Sequence, residues 1–208
     1  MRLLIFDLDG TLVDSSETIV NAINFVRSQM GLLPMGAKEI MYGIVTPGIN
    51  MAEYFYGVDM IDARYEELFK EYYSANHDKE LKLYDGVEEI LETLLQKGYT
   101  LALATNGYRD STLEALKHLK IEKFFDSIVC YDDVENGKPA PDMLLLLLQK
   151  YGLNASEVLF IGDSQRDKLA AKATNIEFLQ VDFGQNNKNV FTKPQELVKE
   201  IEKRSNNV

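Results

Sequence analysis

Residues 3–15 read Leu-Leu-Ile-Phe-Asp-Leu-Asp-Gly-Thr-Leu-Val-Asp-Ser. The apolar run at residues 3–6 is too short for a helix and is bounded by a glycine-containing turn, which predicts a strand buried on both faces of a parallel sheet. Asp7 and Asp9 follow this strand, at the edge where open α/β sheets bind ligands. Two carboxylates this close in a partly dry site need a cation to stay ionised together, and Mg²⁺ favours a few carboxylates plus substrate oxygens. The stretch therefore predicts a magnesium-dependent ligand site.

Short apolar segments recur later in the chain and indicate four further strands. They lie at residues 100–104, 127–130, 158–161 and 176–181. Segments with helical spacing stand before, between and after them, at residues 87–95, 111–119, 142–151, 165–174 and 194–203. Five short strands that alternate with helices predict an α/β fold with a doubly wound parallel sheet and a Rossmann-type core.

A block without strand patterns interrupts this alternation directly after the first strand. Its helical segments are predicted at residues 15–30, 38–42, 51–56 and 62–75. A loop with two glycines and a proline is predicted at residues 43–48. We therefore expect an α/β core of residues 1–14 and 83–208, and a small all-helical cap domain of residues 15–82 inserted after the first strand.

Composition limits the classes of partner. The chain has 208 residues, 46% of them hydrophobic, and a net charge of −11. Such a surface repels nucleic acid and anionic membranes, so neither is expected as a partner. No apolar segment reaches the length of a membrane span, and the single cysteine, Cys130, allows no intrachain disulfide. The first motif begins three residues from Met1, which leaves no room for a signal peptide before it, so a cytoplasmic location is expected.

Three further groups of polar residues follow predicted strands or precede predicted helices. Thr105 and Asn106 end the second strand, where they could donate to a phosphate, although for this pair taken alone an Asn-Gly turn is the preferred explanation. Lys138 stands between a glycine and a proline just before a helix. Asp163 and Asp167 are four residues apart around a predicted helix start, where they could cap that helix or complete a metal site.

Residues 7–15 resemble the first motif of the haloacid dehalogenase-like phosphohydrolases. The Thr-Asn pair, the Lys-Pro context of Lys138, and Gly-Asp-Ser followed by a second Asp resemble the second, third and fourth motifs, in the family's order. The resemblance implies that Asp7 is the nucleophile and that Asp9 is the general acid and base. It implies that the phosphoryl group is held by Thr105, Asn106 and Lys138. It also implies that Mg²⁺ is held by Asp7, Asp9 (through its backbone carbonyl) and Asp163, with Asp167 helping directly or through water.

These roles constrain the topology of the sheet. Asp7, Thr105 and Asp163 must meet, so the first strand is expected between the second and the fourth, at the switch point where such sheets bind ligands. The resemblance implies the same arrangement, with the third strand beyond the second and the fifth beyond the fourth. The position of the helical block resembles the cap of phosphoglycolate phosphatase-like members.

The predicted function is a magnesium-dependent phosphatase that hydrolyses a small phosphate monoester through an aspartyl-phosphate on Asp7. A β-phosphoglucomutase-like phosphosugar mutase is an alternative, although residues 15–35 contain no histidine and the motif reads Gly-Thr where such mutases tend to have Gly-Val. A phosphate-binding regulator without turnover is another alternative. The expected partner is a small phosphorylated metabolite, and the sequence is silent on the oligomeric state.

Overall fold

The computed structural model describes residues 2–183 and 194–205. In this part of the chain the strands are β1 (Leu3–Phe6), β2 (Val13–Asp14), β3 (Lys82–Leu83), β4 (Thr100–Ala104), β5 (Ser127–Val129), β6 (Val158–Gly162) and β7 (Glu177–Gln180). The helices are α1 (Ser16–Gln29), α2 (Ala37–Val45), α3 (Met51–Tyr56), α4 (Ala63–Glu80), α5 (Val87–Gln96), α6 (Arg109–His118), α7 (Asp142–Tyr151), α8 (Gln165–Thr174) and α9 (Pro194–Ser205). Short 3₁₀ helices lie at Glu122–Phe124, Tyr131–Asp133 and Ala155–Glu157.

Five of these strands form one parallel sheet in the order β5-β4-β1-β6-β7. This arrangement confirms the predicted doubly wound α/β fold, with the first strand at the centre and the order of strands reversing around it. In the register, Phe6 lies opposite Leu103 on one side and Ile161 on the other. Residues that follow β1, β4 and β6 therefore emerge at the same edge of the sheet.

The centre of the sheet forms the hydrophobic core. All four residues of β1 are fully buried, as expected for a strand covered by helices on both faces. One face packs against α7 and α8, through Leu3, Ile5, Ala102, Phe160, Met143, Leu144, Leu147, Ala170 and Ala171. The buried core fixes β1 firmly, and with it the residues that follow at Asp7.

The chain divides into two compact units. One consists of the described residues up to Asp14 and from Lys82 onward, and the other of Ser15–Leu81. The boundary differs by one residue from the predicted range of 15–82, because Lys82 belongs to β3. This strand pairs antiparallel with β2. The chain therefore leaves the first unit after one strand of a short ribbon and returns to it at the other strand. A two-residue strand is too short for its alternation to be visible in sequence.

The second unit is a helical domain. Its core joins α1, α2 and α3 through Ile19, Ile23, Val26, Ile40, Phe55 and Tyr56. The predicted loop at residues 43–48 is wrong in its first half, since α2 continues through Gly43 to Val45. A Cβ at Gly43 would lie 2.7–2.8 Å from ring atoms of Tyr54 and Phe55. This glycine therefore serves helix packing rather than a turn.

Among the described residues, no helix combines the length and the apolar character that crossing a membrane requires.

Candidate active site

The predicted site residues of the first unit gather at the carboxyl edge of the sheet. Asp7 follows β1, and its backbone N–H donates to Ile161 O at 2.9 Å. Thr105 follows β4, and its backbone N–H donates to Val129 O at 3.0 Å. Asp163 follows β6 directly. The sheet register therefore brings three distant parts of the sequence to one edge.

A tight turn after Asp7 brings the chain against Asp163. Gly10 has φ +80°, and a Cβ on it would lie 2.4 Å from Asp163 Oδ2. Only glycine fits such a close approach with this backbone conformation. The next residue, Thr11, is fully buried and donates its hydroxyl to Asp163 Oδ1 at 3.1 Å. Gly10 therefore leaves room for the Asp163 carboxylate, and the Thr11 hydroxyl orients it.

Three carboxylates form a group that could hold a metal ion. One oxygen each of Asp7, Asp163 and Asp167 lies within 4.8 Å of the other two. Burial raises the pKa of Asp7 well above its ordinary value, Lys138 opposes the rise, and the other two acids add to it. Burial also raises the pKa of Asp163 to about 7, with a further contribution from Asp167. A divalent cation would relieve this repulsion, and oxygen ligands suit a hard ion such as Mg²⁺.

Asp9 is half-buried, and its side chain is outside this group of three carboxylates. The sequence prediction gave Asp9 a metal contact through its backbone carbonyl and a proton-transfer role through its carboxyl group. Both roles stay predictions.

Lys138 lies at the centre of the site. Its ammonium is 2.6 Å from Asp7 Oδ1, 2.6 Å from Asp167 Oδ1 and 2.8 Å from Ala104 O. The residue is only 4% exposed. Burial lowers the pKa of Lys138, but Asp167 and Asp7 outweigh that effect and raise it above its usual value. Lys138 is therefore a permanent positive charge between two acids.

Asp167 adopts the first of the two arrangements that the sequence left open, a helix cap, and its place in a metal site stays a prediction. It caps α8, because its Oδ2 accepts from the backbone N–H of Ser164 at 3.0 Å and from the Ser164 hydroxyl at 2.5 Å. Its other oxygen contacts Lys138. A Cβ on Gly162 would lie 2.8 Å from side-chain atoms of Asp167, so glycine is required at this position too.

The two residues of the predicted second motif differ in their contacts. Thr105 is 1% exposed, and its hydroxyl oxygen accepts from the backbone N–H of Gly107 at 3.1 Å. The Asn106 side chain donates to Lys138 O and accepts from Lys138 N–H, both at 2.8 Å. A direct contact of Asn106 with phosphate stays a prediction.

Sequence reasoning missed Tyr84, which lies close enough to Asp163 and Asp9 for their charges to affect its pKa. Burial raises the pKa of Tyr84 above its ordinary value, and four carboxylates add to this rise, namely those of Asp14, Asp163, Asp182 and Asp9. Its ring also meets that of Phe183 edge-on at 6.1 Å. The Tyr-Asp-Gly turn where the α/β pattern resumes was the available signal.

In the helical unit, Arg27 is bonded to the backbone of other segments. Its guanidinium donates to Leu33 O at 2.8 Å and to Phe55 O. These bonds tie α1 to two other segments of the same unit. In this structure the side chain has a structural task within the helical unit.

Comparisons with known proteins show the family of the chain and agree with its fold. A family model for haloacid dehalogenase-like hydrolases matches residues 4–181. A phosphoglycolate phosphatase from Yersinia pestis is 33% identical over 193 residues, which cover 89% of this chain and 83% of that protein. Pyrophosphatase PpaX from Halalkalibacterium halodurans is 32% identical over 185 residues, which cover 86% of this chain and 83% of that protein. The solved structure of a predicted phosphoglycolate phosphatase from Haemophilus somnus matches with a TM-score of 0.84 over 97% of this chain and 98% of that one, at 24% identity.

Proposed function

The chain belongs to the family of haloacid dehalogenase-like hydrolases, and on that basis we propose that it is a magnesium-dependent phosphatase acting on a small phosphorylated metabolite. The observation that carries the proposal is the buried contact of Lys138 with both Asp7 and Asp167. Through this contact the Lys138 ammonium binds one oxygen of Asp7 at the edge of the sheet where ligands bind.

The charges of the site fit a divalent cation. Three carboxylates and one ammonium leave two negative charges when all are ionised, and one Mg²⁺ neutralises them. Asp7, Asp163 and Asp167 would hold the ion, together with the backbone carbonyl of Asp9. Bound Mg²⁺ supplies positive charge that offsets the charge on the transferring phosphoryl group.

The proposed reaction has two displacement steps. In the first, an Asp7 oxygen forms a bond to phosphorus while the bond to the leaving oxygen breaks, and Asp9 gives that oxygen a proton. In the second, water attacks the phosphorus of the aspartyl-phosphate, Asp9 takes the proton of the water, and Asp7 is released as a carboxylate. Lys138, Thr105 and the backbone N–H groups after Asp9 stabilise the phosphoryl oxygens.

The helical unit, Ser15–Leu81, is proposed to act as a cap that selects the leaving group and limits access of water. The support is its insertion between β2 and β3, a few residues after the proposed nucleophile. The similarity to phosphoglycolate phosphatase and to pyrophosphatase PpaX makes phosphoglycolate and pyrophosphate the first substrates to test.

The test is a panel of small phosphate esters and pyrophosphate, assayed for phosphate release with Mg²⁺ and with a chelator. We expect release that requires Mg²⁺ and that disappears in Asp7→Asn. Isomerisation of a sugar phosphate with a bisphosphate primer would instead indicate a mutase. Binding without turnover would indicate a regulator, and either result would overturn the proposal.

A further inference from the structure

The side chain of Asn106 is bonded to the backbone of Lys138 in both directions. Its Nδ2 donates to Lys138 O, and its Oδ1 accepts from Lys138 N–H, each at 2.8 Å. One side-chain amide thus satisfies both backbone polar groups of Lys138. The two residues are 32 positions apart, with the whole of α6 and β5 between them.

The loop that carries Lys138 is attached at several further points to the loop after β4, which carries Thr105 and Asn106. Tyr131 N–H donates to Gly107 O at 3.0 Å. Arg109 donates from its Nε to Asp133 Oδ1 at 2.7 Å and from its backbone N–H to Asp132 Oδ1 at 2.9 Å. These contacts stabilise the 3₁₀ helix at Tyr131–Asp133, five or more residues before the lysine. Among the described contacts of the two loops, those of Asn106 reach Lys138 itself.

Close packing reinforces the arrangement. A Cβ on Gly137 would lie 2.8 Å from Asn106 Oδ1 and 2.6 Å from Cδ2 of Tyr131. The residue before Lys138 must therefore be small for the Asn106 amide to reach the backbone. Gly137, the glycine that precedes the lysine, thus packs directly against Asn106 and Tyr131.

The position of the Lys138 backbone matters because its ammonium must meet two acids from different elements. Asp7 follows β1 and Asp167 lies in α8, and each is 2.6 Å from Nζ. Lys138 itself lies in a loop, so no helix or strand fixes its backbone. A lysine side chain also has many rotamers. A shift of the backbone by about 1 Å would break this geometry, and misplacements of that size reduce catalysis by about 10²-fold.

We infer that Asn106 is a positioning residue that acts on the reaction through Lys138, rather than as an independent ligand of the phosphate. This inference rests on the proposed function for its kinetic test. It assigns to the Thr-Asn pair two different tasks, with Thr105 facing the phosphoryl group and Asn106 fixing the lysine.

A double-mutant cycle separates the two roles. Asn106→Ala should lower kcat/KM by roughly 10–100-fold, the range seen when a supporting hydrogen bond is removed from a catalytic group. In a Lys138→Ala background the same substitution should change kcat/KM by less than about 3-fold, because the group it positions is gone. If Asn106 binds phosphate independently, the two losses multiply, and that result would overturn the inference.

Asn136→Ala is the matched control. Asn136 lies in the same loop, and its side chain bonds through Nδ2 to Asp142 Oδ2 at 3.2 Å rather than to the Lys138 backbone. It should leave kcat/KM within about 2-fold of the unsubstituted protein. Circular dichroism verifies that each variant is folded, and Asn106→Ser replaces Asn106→Ala if the alanine variant is not.

The same cycle measured on the affinity for inorganic phosphate, by calorimetry, keeps this inference distinct from the proposed function. Suppose that no ester is hydrolysed, but that the double variant loses less phosphate affinity than the product of the two single losses. The inference then stands and the proposed function falls. If esters are hydrolysed but the losses multiply, the function stands and the inference falls. A protein that neither hydrolyses esters nor binds phosphate would overturn both.

Discussion

Lys138 Nζ lies 2.6 Å from Asp7 Oδ1, although the two residues are 131 positions apart in the chain. The same ammonium lies 2.6 Å from Asp167 Oδ1, and the Lys138 and Asp167 side chains are 3% and 0% exposed. Removing one partner from a buried ion pair leaves an uncompensated buried charge, which destabilises the fold. The site is therefore a place where one substitution should affect both folding and catalysis.

Lys138→Met tests this coupling, since it removes the charge and nearly keeps the volume. We expect kcat to fall by about 10²–10³-fold, the loss typical of a removed charge-stabilising group. Without Mg²⁺ the free energy of unfolding should fall by about 3–5 kcal/mol, because two buried acids lose their cation. Steady-state kinetics and urea unfolding measure the two effects.

Lys123→Met is the control for that variant. Lys123 pairs with Glu88 at 3.6 Å, and both side chains are more than half exposed. Its loss should change the free energy of unfolding by less than about 1 kcal/mol and leave kcat unchanged. A Lys138→Met protein that behaved like this control would contradict the account of the site.

Stability of the metal-free protein should depend on pH through Asp163. Its pKa is raised to about 7, chiefly by burial and then by Asp167, against the opposing effects of Lys138 and the Thr11 hydroxyl. The unfolded residue ionises near pH 4. Between these values the folded state holds a proton that the unfolded chain has released, so the free energy of unfolding falls as pH rises from about 4 to about 7.

The expected fall from this residue is on the order of 3–4 kcal/mol. Urea unfolding in the presence of a chelator, across this pH window, should show a shallower decline in Asp163→Asn. A decline of the same sign remains in that variant, because burial also raises the pKa of Asp7. Identical pH profiles for the two proteins would show that Asp163 ionises normally in the folded state.

Mg²⁺ should stabilise the folded protein, and more at pH 8 than at pH 5. An ion that binds only the folded state at about 100 times its Kd adds about 2.7 kcal/mol to the free energy of unfolding. The effect should shrink at low pH because the carboxylate ligands must lose their protons first. Thermal melting with increasing MgCl₂ checks this, and a melting temperature independent of Mg²⁺ at pH 8 would count against the proposed metal site.

Gly10→Ala should weaken Mg²⁺ binding through the clash with Asp163. The new Cβ would lie 2.4 Å from Asp163 Oδ2, at a backbone φ of +80°. We expect about a 10-fold or greater loss of Mg²⁺ affinity, together with about 1–2 kcal/mol of destabilisation from the left-handed backbone. Calorimetric titration and urea unfolding measure the two quantities.

Gly98→Ala isolates the backbone contribution. Gly98 has φ +86°, and a Cβ added to it would meet nothing within 4 Å. This variant should show a similar loss of stability with unchanged Mg²⁺ affinity. Equal Mg²⁺ affinities in the two variants would mean that the approach of Gly10 to Asp163 has no bearing on the metal.

The sequence was sufficient for the sheet and for the residues that follow its strands. The apolar runs are short and clear, and the edge of a parallel sheet gathers whatever follows β1, β4 and β6. The predicted strand order is confirmed for this reason. The two acids after β6 could be interpreted as a cap or as part of a metal site. Asp167 uses one oxygen to cap α8 and the other to contact Lys138, and its place in a metal site stays a prediction.

Contacts made by loops were not predictable in the same way. The two bonds of Asn106 to Lys138 depend on how a loop 32 residues away approaches it, and no periodicity records that approach. Tyr84 was hidden because its burial depends on tertiary packing beside Phe183. Gly43 was predicted to lie in a loop because glycine is common there. It lies inside α2 instead, where the aromatic rings of α3 leave room only for a small residue.

The most direct test of the central claim uses Asp9→Asn with p-nitrophenyl phosphate, whose leaving group needs no proton. Phosphoryl transfer to Asp7 should still occur, while hydrolysis of the aspartyl-phosphate should be slow without its base. We predict a burst of one equivalent of p-nitrophenol, and one phosphoryl group on the peptide containing Asp7 by mass spectrometry after acid quench. A phosphoryl group on another residue, or the same burst in Asp7→Asn/Asp9→Asn, would contradict the account.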